Sequence, residues 1–306
     1  MKNQLWVEKY RPTTITEYVF VDEKQKQQVE GWINDESIPH LLLSGEPGTG
    51  KTTLAKILIN ELNIQHFDIL EINASRENSV DNVRTKIKSF VETMPFGKFK
   101  IVLLDEADYL SRDAQATLRS DMEAYHLTAR FILTCNYSHR IIPALKSRCH
   151  EFSITKTDRN EFTARAAKVL LEENVEFGLE DLDYYVNKTY PDLRKCLNQL
   201  QVNSTTGKLL AQANSQEYDS ELIEAADLFR SGKIYEGRKQ LQLYLAMNPS
   251  QIEDLYKWMY DNLDLWGKDQ ESKDASIIII RNGLRDLSFV GIPEINLAAT
   301  LVELTS

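Results

Sequence analysis

Residues Gly45-Glu46-Pro47-Gly48-Thr49-Gly50-Lys51-Thr52 constrain the fold of this chain more than any other stretch. They follow the apolar run Leu41-Leu42-Leu43 and open the helical pattern Leu54-Ala55-Lys56-Ile57-Leu58, so they must turn a strand into a helix. A glycine-rich turn in that setting lets the backbone wrap closely enough for its N–H groups to converge on phosphate oxygens. The helix that begins near Lys51 aims the positive end of its dipole at the same point. Lys51 suits the β- and γ-phosphates of a nucleoside triphosphate, and the Thr52 hydroxyl suits Mg2+. A chance glycine turn would not bring strand, lysine, threonine and helix together, so the expected ligand is a nucleoside triphosphate.

At 306 residues the chain has room for two or three domains. Its 42% hydrophobic and 27% charged residues fit an ordinary globular protein. The longest apolar candidate, Ile277-Ile278-Ile279-Ile280, falls far short of the roughly 20 residues that span a bilayer. The opening Met1-Lys2-Asn3-Gln4 has no secretory character, so a cytoplasmic protein with no membrane partner is expected. Three cysteines, Cys135, Cys149 and Cys196, are too scattered for a disulfide framework or a structural zinc site. A net charge of −10 argues against a surface coated in phosphate-binding residues, yet leaves room for a local basic face.

From about 38 to 154, apolar runs alternate with helical patterns, the signature of an α/β fold with a parallel sheet. The expected strands are Leu41–Leu43, Phe67–Ile72, Lys100–Leu104 and Phe131–Thr134, with helices at 51–62, 79–93 and 113–124. After 156 strand signals stop. Thr157-Asp158-Arg159 with Glu161 reads as a helix start, and the helical pattern runs through Leu200-Gln201. Val202-Asn203-Ser204-Thr205-Thr206-Gly207 is a polar break that reads as a linker. The rest is helical, with core stripes at Leu222/Ile223/Ala226/Phe229, at Leu241/Leu245/Met247 and at Leu255/Trp258/Met259/Leu263. Asn248-Pro249-Ser250 and Ile292-Pro293 punctuate the helices.

The chemistry beyond the phosphate loop starts at Ile101-Val102-Leu103-Leu104-Asp105-Glu106-Ala107-Asp108. Four apolar residues make a buried strand whose carboxylates emerge at its C-terminal end, where open α/β sheets bind ligands. Asp105 can hold Mg2+ through water, and Glu106 can orient and deprotonate an attacking water. Asn136, after the run Phe131-Ile132-Leu133-Thr134-Cys135, can bond that water or the γ-phosphate. A lone Asn after a strand is more often a turn residue, and only its place in the series lifts it. Arg148, in Ser147-Arg148-Cys149, would be a solvated surface arginine in a monomer. In a ring-like assembly it can reach a neighbour's γ-phosphate.

Taken in order, these residues resemble the AAA+ ATPases, and further blocks narrow the resemblance to sliding-clamp loader subunits of the replication factor C type. Trp6-Val7-Glu8-Lys9-Tyr10-Arg11-Pro12 resembles their N-terminal box, and Asn73-Ala74-Ser75 with Val83-Arg84 their second block. Asp113-Ala114-Gln115, Leu118-Arg119 and Met122-Glu123 resemble their central helix, and Pro191-Asp192-Leu193-Arg194-Lys195-Cys196-Leu197-Asn198 their lid segment. Met122-Glu123-Ala124-Tyr125 and the tail Pro293-Glu294-Ile295-Asn296-Leu297-Ala298 are most similar to the large subunits of T4-type phage clamp loaders.

The resemblance implies a nucleotide-binding core at 1–154, a helical lid at 155–212 and a helical collar at 213–306. It implies ATP and Mg2+ as cofactors. Val7, Glu8, Lys9, Tyr10 and Val19 would surround base and ribose. Gly48, Thr49, Gly50, Lys51, Thr52 and Thr53 would hold the phosphates, with Arg194 reaching over from the lid. Lys51, Thr52, Asp105, Glu106 and Asn136 would act in cis and Arg148 in trans. The implied partners are further copies of the chain, a distinct small subunit, a ring-shaped clamp and primer–template DNA. Phosphate contacts would fall to Arg84, Lys86, Lys88 and Arg112. Where some relatives place a basic residue this chain has Ser79, which shifts any coupling from DNA to Glu106 onto Asn78 or Arg76. A branch-migration motor of the same superfamily and a nucleotide-binding subunit without turnover are the rival readings. The Trp6–Pro12 box opposes the first, and the intact Asp105-Glu106 pair opposes the second.

Overall fold

Strand and helix alternate as the apolar pattern demands in the computed structural model, which describes residues 4–76, 80–210, 215–247, 252–267, 269–287 and 289–305. Residues 1–211 and 212–306 form two compact units. The first is built on strands β1 (Leu41–Ser44), β2 (Ile69–Asn73), β3 (Lys100–Asp105), β4 (Ala129–Cys135) and β5 (His150–Ser153). All pair in parallel, in the order β2-β3-β4-β1-β5.

Side chains alternate across the sheet with the two-residue period of a strand. Leu41, Leu43, Ile101, Leu103 and Ile132 join one buried layer, which includes Leu54, Ile57 and Leu58. Leu42, Val102, Leu104, Phe131 and Leu133 join the other, with Val83, Ile87 and Leu118. The helices that supply those partners are α3 (Lys51–Glu61), α4 (Val80–Val91) and α5 (Arg112–Ala124), preceded in the chain by α1 (Trp6–Lys9) and α2 (Glu23–Asn34). Register aligns the strand ends, with Asn73 beside Asp105 and Leu43 beside Thr134. The C-terminal edge of the sheet therefore presents the polar residues of β1, β3 and β4 at one level.

Helices α6 (Pro143–Lys146), α7 (Arg159–Glu172), α8 (Leu179–Thr189) and α9 (Leu193–Val202) complete the unit. Helix α7 starts where the sequence indicates, because the Asp158 carboxylate accepts the Glu161 N–H at 2.9 Å. Phe162, Leu170, Leu182, Tyr185, Leu197 and Leu200 form its separate helical core, and Trp6 packs into it.

Four expectations need correction. The second strand starts at Ile69, not Phe67, since His66–Asp68 form a 3₁₀ turn. The buried Asp68 carboxylate fixes that turn by accepting the N–H groups of Phe96 and Gly97. Strand β5 gave no apolar signal because, at the edge of the sheet, only Phe152 of its four residues is buried. The segment 202–207 is no free linker. Glu176 donates its N–H to Gly207 O, Leu209 returns one to Glu176 O, and Leu209 is fully buried.

The second unit contains α10 (Ser215–Arg230), α11 (Ile234–Met247), α12 (Ile252–Asp261), α13 (Gln270–Asp286) and α14 (Pro293–Thr305). Leu222, Phe229, Leu241, Leu245, Leu255, Tyr256, Met259, Leu297 and Leu301 form its core. Ile223, expected in the stripe, is 39% exposed, which is the fourth correction. Pro293 opens α14 as a first-turn proline should. Residues 248–250 and the side chain of Met247 lie outside the described residues. Among the described residues no helix is long and apolar enough to cross a membrane.

Candidate nucleotide-binding site

The loop between β1 and α3 carries its helix directly from Gly50, which sits in the left-handed region at φ 92° and offers no side-chain cap. The first-turn N–H groups are therefore free of side-chain competition and can meet an anion. A Cβ at Gly50 would be strained by that φ and would come within 3.0 Å of the Tyr18 ring. Thr49 Oγ1 closes the loop by donating to Glu46 O at 2.8 Å. The Lys51 ammonium lies under it, donating to Gly45 O at 2.9 Å and Glu46 O at 2.7 Å. Burial lowers the pKa of Lys51, a cost that a phosphate would offset.

Strand β3 delivers Asp105 to the same place. Thr52 Oγ1 donates to Asp105 Oδ1 at 2.7 Å, and Thr134 Oγ1 donates to the same oxygen at 2.5 Å. Glu106 follows in a left-handed conformation, φ 57° and ψ 43°, and its N–H is accepted by Thr134 Oγ1 at 3.0 Å. The Asp108 carboxylate accepts the N–H of Tyr137, the residue after Asn136. Hydroxyl and carboxylate oxygens at the phosphate loop form a donor set for a hard cation, so Thr52 and Asp105 fit Mg2+.

A cavity of about 310 Å³ joins these groups. Its wall includes Val7, Tyr10, Val19, Gly48, Thr49, Gly50, Lys51, Thr52, Thr53, Asp105, Glu106, Asn136 and Arg194. Arg194 comes from the first turn of α9, whose start is capped by Asp192 accepting the Lys195 N–H at 2.8 Å. Phe162, Leu193 and Leu197 supply an apolar side opposite the loop.

Not every expected residue is in that wall. The Glu8 carboxylate pairs with Arg11, and the Lys9 ammonium with Glu173 at 2.8 Å, so neither side chain lines the cavity. Tyr10 OH also donates to Glu173, tying the N-terminal box to α7. Arg148 is elsewhere, paired with Glu123 of α5 and donating to Ala144 O at 2.7 Å. Arg84, Lys86 and Lys88 are exposed on α4, and Arg112 is exposed at the start of α5 beside it. Arg76 is exposed too, whereas Asn78 and Ser79 lie outside the described residues.

Sequence reasoning missed Tyr18, Thr134, Asp108 and Phe162. Thr134 had a signal, since it is a polar residue at the end of the apolar run Phe131-Ile132-Leu133 and precedes Asn136 by the two-residue spacing of one strand face. Tyr18 and Phe162 had none, because an aromatic beside a cavity reads as core. The three cysteines are free, and burial pushes their thiols up to about 11 for Cys135 and Cys196 and about 12 for Cys149.

Residues 41–157 match the AAA family, the ATPase family associated with various cellular activities. The replication factor C small subunit of Archaeoglobus fulgidus is 36% identical over 266 residues, covering 84% of this chain and 83% of that protein. The same subunit of Sulfurisphaera tokodaii is 38% identical over 268 residues, covering 84% and 80%. Among solved structures, the Thermotoga maritima RuvB Holliday junction branch migration motor superposes with a TM-score of 0.54 at 17% identity, over 66% of this chain and 70% of its own. A point variant of that motor reaches a TM-score of 0.58 at 15% identity, over 94% and 90%. At such identity the likeness is one of fold alone.

Proposed function

The chain belongs to the replication factor C small-subunit family of AAA ATPases, and from that premise we propose that it is the motor subunit of a sliding-clamp loader. It hydrolyses ATP, and its family works in DNA replication. The observation that carries the residue assignments is a single cavity that gathers Lys51, Thr52, Asp105, Glu106, Asn136 and Arg194.

Lys51 and the first-turn N–H groups of α3 bind the β- and γ-phosphates, with Arg194 closing on them from the lid. Val7, Tyr10 and Val19 enclose the base end. Thr52 and Asp105 would hold Mg2+, which supplies neutralising charge to the phosphates when bound. Glu106 takes the proton of the attacking water, and Asn136 orients that water. Arg148 of a neighbouring copy completes the site across the subunit boundary, so the loop at 45–52 serves as half of a composite centre. ATP binding opens the clamp. Primer–template DNA, touched through phosphates by Arg84, Lys86, Lys88 and Arg112, triggers hydrolysis and release of the closed ring.

We divide the chain into a core at 1–154, a lid at 155–212 and an oligomerisation collar at 213–306. A pentameric loader follows, acting in the cytoplasm, with several copies of this chain joined to one different small subunit in the T4-type arrangement. The Met122–Tyr125 block and the tail at 293–298 support that arrangement. The test is ATPase rate with the purified partner, clamp and primed DNA. Glu106→Gln should lower stimulated turnover by about 10²–10⁴-fold while retaining ATP binding. Arg148→Ala should lower it by about 10³-fold or more. Unchanged stimulation in either variant would refute the assignment. Strand displacement without any clamp would favour a branch-migration motor instead.

A further inference from the structure

Strand β4 lies between β3 and β1 and ends at Cys135. One residue before that end is Thr134, whose side chain is almost fully buried. A buried hydroxyl is costly unless bonded on both counts, as donor and as acceptor. Here each role goes to one of the two acids. The hydroxyl donates to Asp105 Oδ1 at 2.5 Å and accepts the N–H of Glu106 at 3.0 Å.

We propose that Thr134 is a positioning residue for hydrolysis, setting the carboxylate of Asp105 and the backbone of Glu106 together. The inference rests on the reading of Asp105 and Glu106 as the hydrolytic acids. Three features of the geometry support it. Asp105 Oδ1 receives two hydroxyl donors, Thr52 from the helix under the phosphates and Thr134 from the neighbouring strand, which hold the carboxylate from both sides. Glu106 occupies a left-handed backbone conformation, which persists only where surrounding contacts over-determine it. Its N–H anchor on Thr134 is such a contact. Asn136 follows Thr134 by two residues and lines the same cavity. One oxygen atom, two residues before Asn136, thus touches both acids.

A filler role predicts something different. If Thr134 merely fits its space, valine, with the same branched shape, should serve as well. The discriminating experiment compares wild type with Thr134→Val and Thr134→Ser in the assembled loader with clamp and primed DNA. Equilibrium ATP affinity of each chain is measured alongside, with and without Mg2+. Loss of an outer-shell partner of this kind typically costs about 10–100-fold, and kcat of Thr134→Val should fall by that much. KM should change by less than kcat, because Thr134 bonds the acids and not the nucleotide. The gain in ATP affinity on adding Mg2+ should shrink in Thr134→Val, because Asp105 loses its second anchor. Serine keeps the oxygen, so Thr134→Ser should recover most of the turnover and all of the Mg2+ effect.

Turnover of Thr134→Val within about 2-fold of wild type, or no recovery by serine, overturns the proposal. If the valine chain does not fold, Thr134→Ala takes its place with the same expectations. Glu106→Gln, run in parallel, separates the two levels of inference. An active Glu106→Gln overturns the reading of the acids and Thr134 with it. An inactive Glu106→Gln beside a fully active Thr134→Val overturns the Thr134 role alone.

Discussion

Glu106 combines two demands that conflict at one residue. Its backbone stands at φ 57° and ψ 43°, a conformation that costs a side-chain-bearing residue about 1–2 kcal/mol. Glycine would relieve that cost, but glycine has no carboxylate. The strain places the acid at the mouth of the cavity, immediately after the buried strand and before the turn Ala107–Tyr109. Glu106→Gly should therefore raise stability above that of Glu106→Ala by about 0.5–1 kcal/mol, although both are inactive. Equal denaturation midpoints for the two variants would remove the strain from this account. A higher midpoint for the glycine variant would show stability given up for activity at this residue.

At the scale of the element, legibility followed burial. Strands β1, β3 and β4 were readable because each is enclosed between two strands and buried on both faces, which writes a run of apolar residues into the sequence. Strand β5 and helix α2 were not, since β5 buries one residue of four and α2 has Val29 as its one fully buried apolar residue. The phosphate loop, Asp105 and Glu106 were legible because their chemistry needs fixed spacing along the chain. Thr134 and Tyr18 act through contacts between residues far apart in sequence, which no local pattern encodes. The second unit carries a constraint of the same hidden kind. Gly283 of α13 faces α14 so closely that a Cβ would lie 2.2 Å from Thr300 Oγ1 and 2.8 Å from the Tyr256 ring. Asn296 donates to both Gly283 O and Tyr256 OH at that crossing. Gly283→Ala should cost about 1–3 kcal/mol by overpacking, read as a lower unfolding midpoint, with ATP affinity unchanged. A midpoint equal to wild type would mean that the two helices can separate at no cost.

For the whole molecule, a net charge of −10 sets the terms of any encounter with DNA. Long-range repulsion opposes nonspecific binding by the lone chain, so useful affinity has to come from short-range contacts made within an assembly. The exposed Arg84 and Arg112, on helices α4 and α5 that pack together, are the positions proposed for them. Arg84→Ala should weaken binding of the loader to primed DNA about equally for every sequence. It should also flatten the slope of log affinity against log salt by about 0.9 for each phosphate that the variant no longer neutralises. An unchanged slope would take Arg84 out of the interface.

The burial of Trp6 among helices α7, α8 and α9 has a mechanical consequence. Trp6 donates its backbone N–H to the Gln201 side-chain oxygen of α9, and Val7 and Tyr10 pack on the same helical core, whereas Tyr18 and Phe20 already belong to the core of the sheet. The chain crosses back between these bodies after β5, from Ile154 in the sheet core to Phe162 in the helical one. Two covalent straps, residues 11–14 and 155–161, thus join the helical core to the sheet core. A body held by one strap can twist about it in many directions. Held by two, it keeps one easy rotation, about the line that joins them, so the connectivity of the chain limits how the helical core could move over a bound nucleotide.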